Sequence, residues 1–327
     1  DWTDRHCRYF MRLLSPSVRL YTEMVTAQAL KFGGREKLLA FDESEHPVAL
    51  QLGGSDPELM AEAARAGVAH GYDEININVG CPSDRVQSGQ FGACLMANPE
   101  LVAECVRRMR SEISAPVTIK TRIGIDDRDD YPFLLDFVDA NIDAGCDTFI
   151  VHARKAILRG LSPKENRNVP PLNYERVYRL KSDRTDLNIV LNGGVTTIDE
   201  CRRHLAIVDG VMIGRQAYHQ PWFLTELETE FGTGPSQASR TDVVGAMLPY
   251  IEKELAAGAF LKHISRHMLG LFSGQPGARG WRRYLSENAH RRGAGVSVIE
   301  DAIARLPVTD RLTEESGGNV RMASHQG

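Results

Sequence analysis

From about residue 18 to residue 230 the chain alternates strand-like and helix-like segments, and this constrains its fold more than any other feature. Strands are predicted at 18–25, 47–53, 73–79, 116–123, 148–152, 188–192 and 210–213. Helices are predicted between them. Two open on Asp56-Pro-Glu and Asn98-Pro-Glu, with an acid or amide as cap and proline at the first helical position. Others are predicted over 131–144, 173–181 and 197–205. Alternation of this kind implies a parallel sheet with right-handed crossovers. No topological break divides the strands into halves, which predicts a (β/α)8 TIM barrel, a fold of about 250 residues. Its first strand is expected to be absent from this chain, which starts with the loop-to-helix sequence Asp1-Trp-Thr-Asp and a helix-like stretch at 7–14. A doubly wound open sheet is the competing architecture, but no GxGxxG follows a first strand.

Gly232-Thr-Gly-Pro-Ser reads as a linker, and beyond it the period is helical only. Val244, Met247, Leu248, Ile251 and Leu255 share one face, with Thr241 as the expected cap and Gly258 as the stop. Leu261, Ile264, Met268, Leu271 and Phe272 repeat the pattern before Gly274. A third helix is predicted near 279–291, and a fourth opens with the capping-box pair Ser297 and Glu300. The expected organisation is a catalytic barrel over 1–231, a small all-α helical bundle over 240–306, and a polar, aperiodic, disordered tail over 309–327.

The chain has 327 residues, 42% hydrophobic and 25% charged, so a folded globular protein is the default. No apolar run of about 18 residues predicts a membrane span. Six scattered cysteines form no CxxC pair, which suggests reduced thiols in a cytoplasmic protein and no metal site. A monomer is expected. The net charge of -4 argues against coating nucleic acid with the whole surface, but leaves room for a local basic face.

In a barrel of this kind the active site lies at the C-terminal ends of the strands. There the sequence places Gln51, Asn78 with Cys81, Lys120 with Arg122, His152 with Arg154, Asn192 with Gly193-Gly194, and Gly214-Arg215. One such residue is an ordinary hydrogen-bonding side chain as often as not; six successive polar strand ends point to a site. Cys81 closes Tyr72-Asp-Glu-Ile-Asn-Ile-Asn-Val-Gly-Cys-Pro-Ser83, a β-branched strand stopped by Gly80 and Pro82. A thiol there either packs, is a redox bystander, merely ends the strand before Pro82, or donates a proton. The loop 83–96 after it could close over a substrate, and Cys94 within it is expected to pack. The glycines of Asn192-Gly-Gly and Ile213-Gly-Arg either make tight turns or let backbone N–H groups approach a phosphate, with Arg215 adding charge and a following helix start its dipole. Between Lys262 and Arg292 stand seven Lys or Arg, among them Arg279, Arg282 and Arg283, against one acid, Glu287, with Trp281 and Tyr284 interleaved. That is either a solvated helix face or a phosphate-backbone surface.

Together these segments resemble the tRNA-dihydrouridine synthases, and most closely the A-type subfamily. The matching motifs are Asn78-Val-Gly-Cys-Pro-Ser83, Gly92-Ala-Cys-Leu-Met96, Ile119-Lys-Thr-Arg-Ile-Gly124, Val151-His-Ala-Arg154, Gly160-Leu-Ser-Pro-Lys-Glu-Asn-Arg167, Asn192-Gly-Gly194 and Met212-Ile-Gly-Arg215. Arg266-His-Met-Leu-Gly-Leu-Phe272 and Trp281-Arg-Arg-Tyr-Leu-Ser-Glu-Asn288 match in the helical part, so the resemblance spans about 1–306. It implies an FMN-dependent barrel and a tRNA-recognition domain, with NADPH as reductant and D-loop uridines 20 and 20a as targets. By the resemblance, Gln51, Lys120 and His152 lie along the flavin, and Asn192, Gly193, Gly194, Gly214 and Arg215 surround its phosphate end. Cys81 is then the proton donor to C5 of a uracil held by Asn78, Lys120, His152 and Arg154. Lys164, Arg167, Arg279, Arg282 and Arg283 are expected to contact the tRNA. Family members begin with a strand ending in an Ala-Pro-Met turn, which this chain lacks. Two other readings compete: a flavin barrel acting on a free pyrimidine, and an RNA-binding module without catalysis.

Overall fold

The computed structural model describes residues 2–234 and 239–307. The expected tail, 309–327, lies outside the described residues. The chain divides into two compact units. One comprises Thr3–Arg5 and Arg19–Gly214; the other comprises Trp2, His6–Val18 and the described residues from Arg215 onward. The sequence reading sets its own boundary at 231, after the last helix of the barrel pattern.

The first unit is built on β1 (Leu20–Tyr21), β2 (Val25–Thr26), β3 (Val48–Gly53), β4 (Glu74–Val79), β5 (Val117–Arg122), β6 (Thr148–His152), β7 (Asn188–Asn192) and β8 (Gly210–Met212). Each strand from β3 to β8 pairs in parallel with the one before it in that series, and β1 and β2 both pair with β3. Helices intervene at Pro57–His70, Pro99–Arg110, Tyr131–Ile142, Tyr174–Asp183 and Ile198–Leu205. This is the strand order of a (β/α)8 TIM barrel. Among the described residues no pairing joins β8 to β1.

Local chemistry explains the element ends. Asp56 and Asn98 accept from the backbone N–H of Leu59 and Leu101 at 3.0 and 3.3 Å, with Pro57 and Pro99 just inside each helix. The predicted strand 18–25 is instead two short pieces. Leu20 pairs with Val48 and Val25 with Leu52, so five steps on one strand match four on the other. The extra residue is a bulge. Thr22 sits there, and its hydroxyl accepts the Gln51 N–H at 2.9 Å, which the interrupted ladder would leave unpaired.

The second unit is helical. It includes residues 6–14 of the helix Arg5–Leu14, then Arg215–His219, Phe223–Phe231, Arg240–Ala256, Leu261–Met268, Ala278–Asn288 and Val296–Ala304. Phe10, Leu14, Met247, Ile251, Ile264, Trp281, Leu285 and Ile299 are all buried in its core. Two expected caps differ. Ser239, not Thr241, caps Arg240–Ala256, accepting from the Asp242 N–H at 3.0 Å. The last helix starts behind Gly295 with no side-chain cap, so Ser297 lies inside its first turn and makes no capping box.

Candidate active site

Alternation along a parallel strand sends residues two apart to the same face. Register then sets Gln51 opposite Asn76, Asn78 opposite Lys120, Arg122 opposite His152, and His152 opposite Asn192. The strands β3 to β7 thus bring together Gln51, Asn78, Lys120, His152 and Asn192, all expected from the sequence.

Beside them, Cys81 is half-buried. Its backbone is held from two sides: its N–H donates to Asn78 Oδ1 at 2.9 Å, and its carbonyl accepts from the Ala93 N–H at 2.9 Å. Gly92 makes the second contact feasible. It has φ +76°, and a Cβ there would come within 2.5 Å of the Cys81 carbonyl oxygen. The Cys81 thiol is 3.6 Å from Ser83 Oγ. The loop that follows contains the helix Asp84–Ser88 and the 3-10 helix Gly92–Ala97. Gln87 ties it to the loop after β6, donating to the carbonyls of Pro82 and Leu158 at 2.8 and 2.7 Å. Cys94 is half-buried, as Cys81 is; its thiol meets the Phe91 carbonyl at 3.1 Å, and burial raises its pKa.

Two cations stand under this loop. The Lys120 ammonium donates to Asn192 Oδ1 at 3.2 Å. Burial, and then the neighbouring Arg122 charge, lower Lys120 to about 8, while the proximity of Cys81 acts the other way. Arg122 is 4% exposed, and burial is also the main cause that lowers it to about 10. It donates to the backbone carbonyls of Gly80, Lys155 and Asn166 at 3.1, 3.2 and 3.0 Å. One guanidinium therefore joins the Cys81 loop to the loop after β6. The sequence reading places Arg122 at the strand end but assigns it no role; the two-residue step from Lys120 is the signal that it shares the same face.

Arg154, Lys164 and Arg167 all lie on the loop after β6. Arg154 donates to the Pro170 carbonyl, Lys164 is exposed and Arg167 half-buried. Asn166, fully buried, organises the loop by bonding both backbone groups of Ile157, at 2.7 and 2.9 Å.

At the end of β7, Asn192 also donates to the Met212 carbonyl at 2.8 Å, so both ends of its amide brace the sheet. Gly193 has φ +113°, and a Cβ there would fall 2.5 Å from the His152 ring. The glycine is thus required by packing on His152 as well as by its turn. The helix start after this loop is already occupied. Glu200 accepts from the N–H groups of Thr196 and Thr197 at 2.7 and 3.1 Å, and Thr197 caps in return. The expected contribution of that helix dipole to an anion is therefore reduced by its own carboxylate. Among the described residues the N–H groups of Gly194 and Gly214 have no hydrogen-bond partner. Open N–H groups, a half-buried ammonium and amide donors at one strand-end face fit a flavin nucleotide with its phosphate. Gly214 closes the first unit, and Arg215, half-buried, opens the second as the first residue of Arg215–His219.

In the helical unit Arg279, Arg282 and Arg283 are exposed on Ala278–Asn288. The interleaved aromatics behave differently from the sequence reading. Trp281 is fully buried, donating to the Met268 carbonyl at 3.1 Å and packing edge-on against Phe272. Tyr284 donates to Asp301 at 2.9 Å under the Arg305 guanidinium. These rings hold the unit together. Among the described residues no group of three His, Cys, Asp or Glu is placed to hold a metal ion, and no helix is long and apolar enough to cross a membrane.

Comparison with known proteins matches residues 1–306 to the family model described as Dihydrouridine synthase (Dus). A protein of Salmonella typhimurium named tRNA-dihydrouridine(20/20a) synthase is 60% identical over 305 residues, 93% of this chain and 92% of the relative. The protein of that name from Escherichia coli K12 is 59% identical over 93% of this chain and 88% of its own length. That from Vibrio parahaemolyticus is 57% identical over 94% of each.

Proposed function

The chain belongs to the dihydrouridine synthase family, and from that premise we propose that it reduces the C5=C6 bond of uridines 20 and 20a in the D loop of tRNA. FMN is the cofactor and NADPH the reductant. The observation that carries the reading is the placement of one half-exposed thiol, Cys81, on a loop fixed to the same strand ends that present Gln51, Asn78, Lys120 and His152.

When bound, FMN supplies the hydride that adds to C6 of the uracil. The residues of the chain bind, orient and deliver a proton. Cys81 gives its thiol proton to C5, so that one hydride and one proton saturate the double bond. Lys120 is an ammonium donor whose bonds need only one oxygen partner, Asn192, in the protein; its remaining hydrogens suit carbonyl oxygens of the flavin or the uracil. Asn78 uses its oxygen on the Cys81 loop and one N–H on Gln51, leaving its second N–H for the base. Gln51 and His152 would hold the flavin ring and Arg154 the base. Asn192, Gly193, Gly194, Gly214 and Arg215 would hold the phosphate end.

A uridine inside folded RNA is out of reach until it is unstacked. That cost requires a surface that grips the RNA elsewhere. Lys164 and Arg167 on the loop after β6, and Arg279, Arg282 and Arg283 on the helical unit, supply phosphate contacts. A free pyrimidine would need none of them.

The test is to incubate the purified chain, reconstituted with FMN, with NADPH and unmodified tRNA, and to map dihydrouridine along the D loop. Dihydrouridine at positions 20 and 20a is expected. A flavin-loaded protein that leaves the tRNA unmodified and reduces free uracil would overturn the reading.

A further inference from the structure

Beneath the candidate active site, side chains from β3, β4 and β5 are joined in one direction. The Thr118 hydroxyl donates to Glu74 Oε1 at 2.6 Å. Asn76 Nδ2 donates to Thr118 Oγ1 at 2.8 Å, and Gln51 Nε2 donates to Asn76 Oδ1 at 2.9 Å. Asn78 Nδ2 donates to Gln51 Oε1 at 2.8 Å. At the top, the N–H groups of Gly80 and Cys81 donate to Asn78 Oδ1 at 3.1 and 2.9 Å. Every donor in the series points toward Glu74.

That direction is fixed at both ends, by the Glu74 carboxylate below and by the backbone N–H groups of Gly80 and Cys81 above. Glu74 is 1% exposed, pairs with the Arg19 guanidinium and accepts from the Tyr21 hydroxyl at 3.1 Å. A carboxylate only accepts. Thr118 has one hydrogen and gives it to Glu74, so its oxygen can only accept from above. Asn76 must therefore present its NH2 to Thr118 and its C=O to Gln51. The same choice passes through Gln51 to Asn78, which is left with its C=O facing the Cys81 loop. If Asn78 were turned over, its NH2 would meet two backbone N–H groups, donor against donor. Burial of Gln51, Asn76, Asn78 and Thr118 makes each mismatch costly, because water cannot repair it.

We propose that Glu74, Thr118 and Asn76 are positioning residues for uridine reduction. They hold Gln51 and Asn78 in the orientation that the N–H groups of Gly80 and Cys81 also demand and, through it, hold the Cys81 backbone where its thiol meets the base. This rests on the reading of Cys81 as the proton donor. None of the three touches substrate or cofactor in this assignment; they act through Gln51 and Asn78. Ordinary packing residues on the same strands, such as Ile75 or Ile119, have no such polarity to transmit.

The experiment compares Thr118→Val and Thr118→Ser with the unaltered, flavin-loaded protein in two half-reactions. Valine keeps the shape of threonine and removes the link; serine restores the hydroxyl. Expected for Thr118→Val is a fall of up to about 100-fold in the single-turnover rate of dihydrouridine formation, the cost of a misplaced reacting group. The rate of flavin reduction by NADPH, followed by bleaching of the flavin absorbance, and the affinity for tRNA should stay within about twofold of their starting values. Thr118→Ser should recover most of the lost rate. Glu74→Gln, which offers Thr118 an NH2 as well as a C=O, should show the same selective loss. An unchanged single-turnover rate in Thr118→Val overturns the proposal. So does a loss that extends equally to flavin reduction, since that marks a merely structural role. An unaltered protein that takes up flavin yet forms no dihydrouridine would instead defeat the functional reading itself.

Discussion

In the strand-based unit Arg122 is buried against three backbone carbonyls and Lys120 beside it is half-buried against Asn192, whereas Arg279, Arg282 and Arg283 in the helical unit are exposed and make no ion pair among the described residues. The two sets of cations are suited to different tasks. A buried cation is costly unless its hydrogens are satisfied, so its position is sharply defined and one displaced partner is felt. An exposed arginine contributes through charge that salt screens, and several neighbours add roughly independently. The first arrangement can orient one uracil against one thiol. The second can hold a phosphate backbone of any sequence.

The sharpest way to separate the two is to remove the thiol and leave both sets of cations in place. Cys81→Ala should lower dihydrouridine formation by roughly 10²- to 10⁴-fold, the usual range for a positioned proton donor. Affinity for tRNA and flavin content should barely change. Dihydrouridine formation and tRNA binding, measured on the same preparation, check both halves. Turnover undiminished in the variant would take Cys81 out of the chemistry and leave Lys120 without a thiol to serve.

Much of this contrast can be read before any coordinates. Alternation of Ile75, Asn76, Ile77 and Asn78 places both amides on one face, and Asp56-Pro57 and Asn98-Pro99 mark helix starts by chemistry confined to a few residues. What stayed hidden depends on partners distant in sequence. The bulge at Thr22 is stabilised by Gln51, 29 positions away. The one-way series from Glu74 to Cys81 needs strand register, which sequence periodicity leaves open. Trp281 interleaves with arginines in the sequence; only the carbonyl of Met268 and the ring of Phe272 show that it belongs to the core. Residues 7–14 are legible as a helix, but not as part of the helical unit, because that grouping rests on contacts such as His6 Nδ1 with the Tyr250 hydroxyl at 2.7 Å.

Titration tests the buried side alone. Burial lowers the Lys120 pKa to about 8 in the folded chain, against 10.5 for an ordinary lysine. Between those values the unfolded chain binds more protons, so this group's contribution to stability rises with pH across that window and is smallest below it. Lys120→Met removes the dependence. The stability of the unaltered protein relative to the variant should therefore climb from pH 7.5 to pH 9.5, by on the order of 2 kcal/mol. Denaturant unfolding at the two values measures it. A difference that stays flat would mean that the ammonium is not held against burial.

The exposed side is tested by salt. Each phosphate neutralised adds about 0.7 to 0.9 to the slope of log affinity against log salt. If Arg282 and Arg283 each meet one phosphate, Arg282→Ala with Arg283→Ala should flatten that slope by roughly 1.5. Between 50 and 200 mM salt the unaltered protein would then lose about tenfold more affinity for tRNA than the double variant. Single-turnover dihydrouridine formation at saturating tRNA should change little, because neither side chain belongs to the strand-end site. Equal slopes would place the RNA on another face. A slope that flattened while the saturated rate also collapsed would break the comparison itself, since the exposed cations would then be shaping the chemistry and not only the grip.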